Sequence, residues 1–175
     1  AYELDKSDPQ VLSSLTQLAL ISGNIDTAED HAQKLELLAP SHPAVKLTYG
    51  YVALRRTDFD RADQQVDQLL AEFPREPSAN LLKARILLGR GKNQEALKLL
   101  ETQTKGMPTD AGSWKALMAL HERQRNWPGV TLAAIKLASL NPKDAEVSFK
   151  AVEAAFRGNN IETALRASEP FLRPD

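Results

Sequence analysis

The chain has 175 residues, 42% of them hydrophobic and 26% charged, with 22 Lys plus Arg against 23 Asp plus Glu and a net charge of −1. That balance supplies no general electrostatic pull towards nucleic acid or an anionic membrane. The absence of cysteine excludes disulfides, thiolate metal sites and cysteine nucleophiles, and no apolar run approaches the ~18 residues that a spanning helix needs. The composition fits the cytoplasm and a bacterial periplasm equally.

Taken in order, the chain is framed by four prolines, Pro40, Pro74, Pro108 and Pro142, each 34 residues after the last. A repeat of this length is that of a two-helix solenoid unit. Stacking the sequence at that period aligns further columns. Ala28, Ala62, Ala96, Val130 and Ala164 are small residues, as a close helix crossing requires. Ile25, Phe59, Asn93, Trp127 and Ile161 stand near the start of each second helix; Leu35, Leu69, Gln103, Leu137 and Phe171 stand near its end. Polar pairs precede the second helices: Gly23-Asn24, Thr57-Asp58, Gly91-Lys92, Arg125-Asn126 and Asn159-Asn160. Asn and Asp suit such turns because they cap helix N-termini and tolerate tight backbone.

The spacing predicts first helices over roughly 9–22, 43–56, 77–90, 111–124 and 145–158. Second helices are predicted over roughly 25–38, 59–72, 93–105, 127–139 and 161–169. The framing prolines stop the second helices, lacking the N–H needed to continue them. Pro9, Pro43 and Pro77 fall in a first turn, where that loss is harmless. The units read as 9–42, 43–76, 77–110, 111–144 and 145–175, one continuous repeat domain. Leu38 shifted back by one period lands on Leu4, so residues 1–8 read as the tail of a preceding repeat. The opening Ala-Tyr-Glu-Leu and the apolar Leu165, Phe171 and Leu172 near the other end suggest a segment of a longer array, with neighbouring repeats as its first partners.

On these residues the chain resembles the tetratricopeptide repeat family. The second unit carries Tyr49, Gly50, Phe59, Ala62, Leu69 and Pro74; the third carries Ala84, Ala96 and Pro108; the fourth carries Trp114, Leu117 and Pro142. Thr16, Met118 and Val152 depart from the small residue of the first helix, Val130 from that of the second, and Gln103 from an apolar position. The resemblance implies an all-α, right-handed superhelical solenoid of antiparallel helix pairs. It also implies a ligand face lined by the first helices. Mapped onto this chain, that face holds Leu47, Tyr51, Leu54, Arg55, Leu81, Arg85, Leu88, Lys115, Arg123 and Phe149. An apolar stripe edged by cations suits a peptide or helix with an acidic rim; the competing reading is that these leucines only pack on the second helices. The family's carboxylate-clamp subtype is not expected, because the matching positions Ser13, Gln17, Thr48, Ser78 and Leu82 hold no cation.

Chemistry finds little footing. His31, His42 and His121 match no metal spacing, and their expected roles are solvated or locally hydrogen-bonded. Asp58, Asp60 and Asp63 lack the glycine and closing glutamate of a calcium loop. Gly89-Arg90-Gly91-Lys92 has no strand before it and no Ser or Thr after its lysine, so it reads as a linker between helices and not a phosphate loop. The expected function is a non-enzymatic protein–protein interaction scaffold with no cofactor and no metal, binding a peptide or helix. The alternatives are a recruiting or regulatory segment of a larger bacterial envelope, exopolysaccharide or pilus export protein and, against the near-neutral charge, a helical-repeat RNA binder. No nucleic acid and no membrane insertion are expected of this segment.

Overall fold

The computed structural model describes residues 8–74 and 76–172, with side chains described as far as Ala167. The assigned tail at residues 1–7 therefore lies outside the described residues, as do the side chains of Phe171 and Leu172. Among the described residues ten α-helices follow one another: α1 (Pro9–Ile21), α2 (Ile25–Leu38), α3 (Pro43–Arg55), α4 (Phe59–Glu72), α5 (Pro77–Gly89), α6 (Asn93–Gly106), α7 (Ala111–Arg123), α8 (Trp127–Leu140), α9 (Ala145–Arg157) and α10 (Ile161–Leu172). No strand occurs among the described residues. The helices group into two compact units divided after Lys92, α1–α5 and α6–α10.

The turn from first to second helix is one motif used five times. Gly23, Thr57, Gly91, Arg125 and Asn159 all have positive φ, between 54° and 75°. Each donates its N–H to the carbonyl three residues back, and the next residue donates to the carbonyl five back: Gly23 to Leu20 and Asn24 to Ala19, Thr57 to Leu54 and Asp58 to Ala53, and so on to Asn159 and Asn160. This is the paired bonding of a Schellman turn, which satisfies the carbonyls that a helix end leaves open. The same residue then starts the second helix. Asp58, Asn126 and Asn160 accept from the N–H three positions on, at 3.1, 3.3 and 3.0 Å. One residue therefore closes one helix and caps the next, which holds the turn to three residues.

The return turns are capped from the other side. Asp8, His42, Glu76, Asp110 and Asp144 each accept an N–H from the first turn of the helix they precede. Pro9, Pro43 and Pro77 open α1, α3 and α5. Pro40, Pro74 and Pro142 directly follow the cap residues Ala39, Phe73 and Asn141.

In the first unit α1 packs on α2 and α3 on α4, α2 and α4 pack on the first helices that follow them, and the first helices also meet each other, α1 with α3 and α3 with α5. In the second unit α7 packs on α6 and α8, and α9 on α8 and α10. The small-residue column carries these crossings: Ala28, Ala62, Ala96 and Val130 are fully buried and Ala164 is 8% exposed. A second column at the same period, Ala32, Val66, Leu100 and Ala134, is equally buried and lies one helical turn further on. Leu35, Leu69 and Leu137 are buried as expected. Gln103 stays half-buried with its amide on the Met107 sulfur, and the adjacent Thr104 fills the interior, returning its hydroxyl to the Leu100 carbonyl.

Candidate functional site

The first unit brings several of the expected ligand residues together. Leu47, Tyr51, Leu54, Leu81 and Leu88 are half-buried, while Arg55 and Arg85 are exposed. Leu47, Tyr51 and Leu54 pack their inner sides against the core of Ala53, Ala62, Val66, Leu82 and Ile86. The packing role weighed for these residues is thus present in the fold. It leaves the outer part of each side chain at the surface.

One contact gives this surface its chemical character. The Arg85 guanidinium lies over the Tyr51 ring, 5.5 Å from its centre. The two residues are 34 apart and occupy the same position in successive first helices, so the pairing follows from the repeat. A guanidinium over an aromatic face gains about 0.5–1 kcal/mol at an exposed site. Burial pushes the Tyr51 phenol above its ordinary pKa, and the positive charge of Arg85 opposes that shift. Tyr51 is therefore a neutral ring that can stack and donate one hydrogen bond. Neither Arg55 nor Arg85 forms an ion pair among the described residues. Arg56, Lys83 and Arg90 differ, binding Glu29, Asp63 with Asp67, and Asp60 with Asp63.

The second unit holds the remaining expected residues separately. Lys115 and Arg123 are exposed on α7, and Phe149 is 64% exposed on α9. Glu122 is engaged by Lys150 at 2.6 Å, and Arg157 binds Glu153 and covers the Trp127 ring at 5.0 Å. Phe149 and Phe156 line a trough of about 420 Å³ with Val152, Glu153, Ile161 and Ala164, between α9 and α10.

The structure also places the residues set aside at the sequence level. Of the clamp positions, Thr48 and Leu82 are fully buried. His42 caps α3 through Nδ1. His121 is buried, 7% exposed, with Nδ1 3.1 Å from the Asn126 amide nitrogen. Burial holds its pKa below the ordinary histidine value, against the opposing charge of Glu101. Its counterpart is Gly129 on α8, where a Cβ would stand 2.6 Å from the ring. That glycine, eight residues later in the sequence, is the only sequence signal that the histidine needed room. Among the described residues no group of three or more His, Cys, Asp or Glu could hold a metal ion, and no helix is long and apolar enough to cross a membrane.

Residues 53–120 match the family model described as tetratricopeptide repeat. MamA from Desulfovibrio magneticus RS-1 is similar over 97% of this chain and 94% of its own, at 20% identity and a TM-score of 0.60. A thermophilic TPR protein of Thermus thermophilus is similar over 94% and 90%, at 15% identity and a TM-score of 0.68. The fold is that of the tetratricopeptide repeat proteins. PilF of Pseudomonas aeruginosa shares it over 94% of this chain and 75% of its own, at 16% identity and a TM-score of 0.69. No curated protein matches the sequence. At these identities the likeness is one of fold.

Proposed function

We propose that this tetratricopeptide repeat chain binds a peptide or helix on the first-helix face of its first unit, with Leu47, Tyr51, Leu54, Leu81 and Leu88 as the apolar floor. Arg55 and Arg85 supply the cationic edge. The observation that carries this reading is Arg85 lying over Tyr51, with no carboxylate partner among the described residues. An exposed arginine fixed by an aromatic ring loses less side-chain freedom on meeting a ligand carboxylate than a free one, so the contact comes pre-organised. The ligand favoured is an apolar segment flanked by Asp or Glu. Lys115, Arg123 and Phe149 are proposed as further contacts made by the second unit. The five repeats 9–42, 43–76, 77–110, 111–144 and 145–175, with residues 1–8 belonging to a preceding one, remain the organisation we propose.

The test is a displayed-peptide selection on the full chain, with the winning peptides titrated against Tyr51→Ala and Arg85→Glu. Loss of one aromatic anchor costs about 2 kcal/mol, which is about 30-fold in affinity. Selected peptides should carry an acidic residue beside an apolar pair and bind both variants at least that much more weakly. Peptides without acidic residues that bind all three proteins equally would refute the placement.

A further inference from the structure

One side chain in the second unit serves two neighbours, and they make opposite demands once a proton is added. Asn126 caps α8: its Oδ1 accepts the Gly129 N–H at 3.3 Å. Its Nδ2 lies 3.1 Å from Nδ1 of His121 on α7. A primary amide has one accepting end and one donating end. With the oxygen on Gly129 the nitrogen must donate to the ring, so His121 Nδ1 is bare and the neutral ring carries its proton on Nε2. The backbone holds the pair in place, because the Asn126 N–H also donates to the His121 carbonyl, at 2.9 Å. Gly129 completes the cluster by lying against the ring, where even a Cβ would stand 2.6 Å away.

The other repeats provide the comparison. At the position of His121 they hold Ala19, Ala53, Leu87 and Ala155, none of which titrates. Asp58 and Asn160 cap α4 and α10 in the same way, on the N–H groups of Arg61 and Thr163 at 3.1 and 3.0 Å. Each of those caps has an alanine where the fourth repeat places a histidine.

Protonation sets the two demands against each other. A charged imidazole carries N–H on both nitrogens, so Nδ1 turns from acceptor to donor. It then meets the amide nitrogen donor against donor, in a buried contact where an unmatched polar group is costly. Turning the amide over restores that bond through Oδ1 but takes the oxygen away from Gly129. The charges around the ring do not remove the conflict. Glu101 on α6 favours the proton, while burial opposes it. On α7 and its turn stand Glu122, already bound by Lys150, and the cations Arg123 and Arg125. The one charged residue of α8 is Lys136, seven positions past Gly129.

We propose that Asn126 is a proton-controlled cap: when His121 takes a proton from solvent on Nδ1, the amide turns from Gly129 to the ring and α8 loses the cap at its N-terminus. The α7–α8 turn, which holds Arg125 at a φ of 54°, then opens while the other capped turns stay closed. Because Gly129 also lies against the ring, the crossing of α7 on α8 loosens with it. The device acts on the acid side of neutrality, below about pH 6.5.

Histidine titration and amide hydrogen exchange, both by NMR on the full labelled chain, test this between about pH 7.5 and about pH 5. The neutral ring should show the Nε2–H tautomer in its nitrogen shifts. As His121 titrates, protection of the Gly129 amide, corrected for the intrinsic pH dependence of exchange, should fall about 5-fold or more, the worth of one N-cap. Its midpoint should match that of the ring. The Arg61 and Thr163 amides, capped by Asp58 and Asn160, should keep their protection. Asn126→Asp supplies two accepting oxygens, one for each partner, and aspartate already serves as such a cap at Asp58. In that variant the His121 midpoint should rise by about 1 pH unit or more, and Gly129 should stay protected as the ring titrates. An Nδ1–H tautomer in the neutral chain would overturn the proposal. So would a Gly129 amide that ignores the ring, or one that opens together with Arg61 and Thr163 as the whole chain unfolds. An Asn126→Asp variant with the wild-type His121 midpoint would overturn it equally.

Discussion

Gly129→Ala is a one-methyl test of how the second unit is packed. The added Cβ would lie 2.6 Å from both Cγ and Cδ2 of His121 and 2.8 Å from Nδ1. Those atoms belong to a rigid ring that is buried and tied to Asn126, so the ring cannot turn away as the tip of a leucine could. Overpacking of this kind costs about 1–3 kcal/mol. Breaking the His121–Asn126 hydrogen bond adds about 1 kcal/mol. Replacing a helical glycine by alanine returns up to about 1 kcal/mol. The net expectation is a loss of about 2 kcal/mol, and a chain of this size should melt roughly 4–8 °C lower. Differential scanning calorimetry of Gly129→Ala, His121→Ala and the double variant measures it as a cycle. The double variant should be more stable than the sum of the two single losses predicts, because alanine at 121 leaves the new methyl space. An unchanged or raised melting temperature for Gly129→Ala would show that α7 and α8 do not meet through this pair.

Thr57→Gly should stabilise the chain by roughly 0.5–1 kcal/mol in urea unfolding, since Thr57 holds a φ of 60° that a β-branched residue rarely adopts. A destabilised variant would place the turn elsewhere. His121 is held neutral by burial, so the unfolded chain takes up a proton that the folded chain resists. Its contribution is complete above about pH 6.5 and is lost as pH falls below that value. The drop in urea midpoint from about pH 7.5 to about pH 5.5 should be smaller in His121→Gln; an equal drop would refute the assignment. Ala62→Leu puts a larger side chain into a fully buried crossing and should cost about 1–3 kcal/mol, read as a lower melting temperature.

The periodic features of this fold were legible because the same physics recurs every 34 residues. The framing prolines placed the ends of α2, α4 and α8, and the alanine column marked the crossings. The turns were visible as polar pairs, but their geometry was hidden at Thr57 and Arg125. Neither residue advertises a left-handed backbone; only alignment with Gly23 and Gly91 does so. His121 escaped because its burial depends on the missing side chain of Gly129, a compensation across two helices that no local pattern reports. The stripe of Leu47, Tyr51 and Leu54 was read as either groove or packing. The structure gives these residues an inner face in the core and an outer face at the surface, a division that periodicity alone cannot make. Arg85 over Tyr51 was available from the period, since like positions in successive first helices are neighbours.

The claim at the centre of this account is that the ligand lies on the first-helix face beside Arg85. The most direct measurement is a chemical-shift perturbation map of the labelled chain titrated with a selected peptide. The largest changes are predicted at Leu47, Tyr51, Leu54, Leu81, Arg85 and Leu88, and they should vanish for that peptide with its acidic residue replaced by its amide. Perturbations concentrated on the second helices α2 and α4 would contradict it.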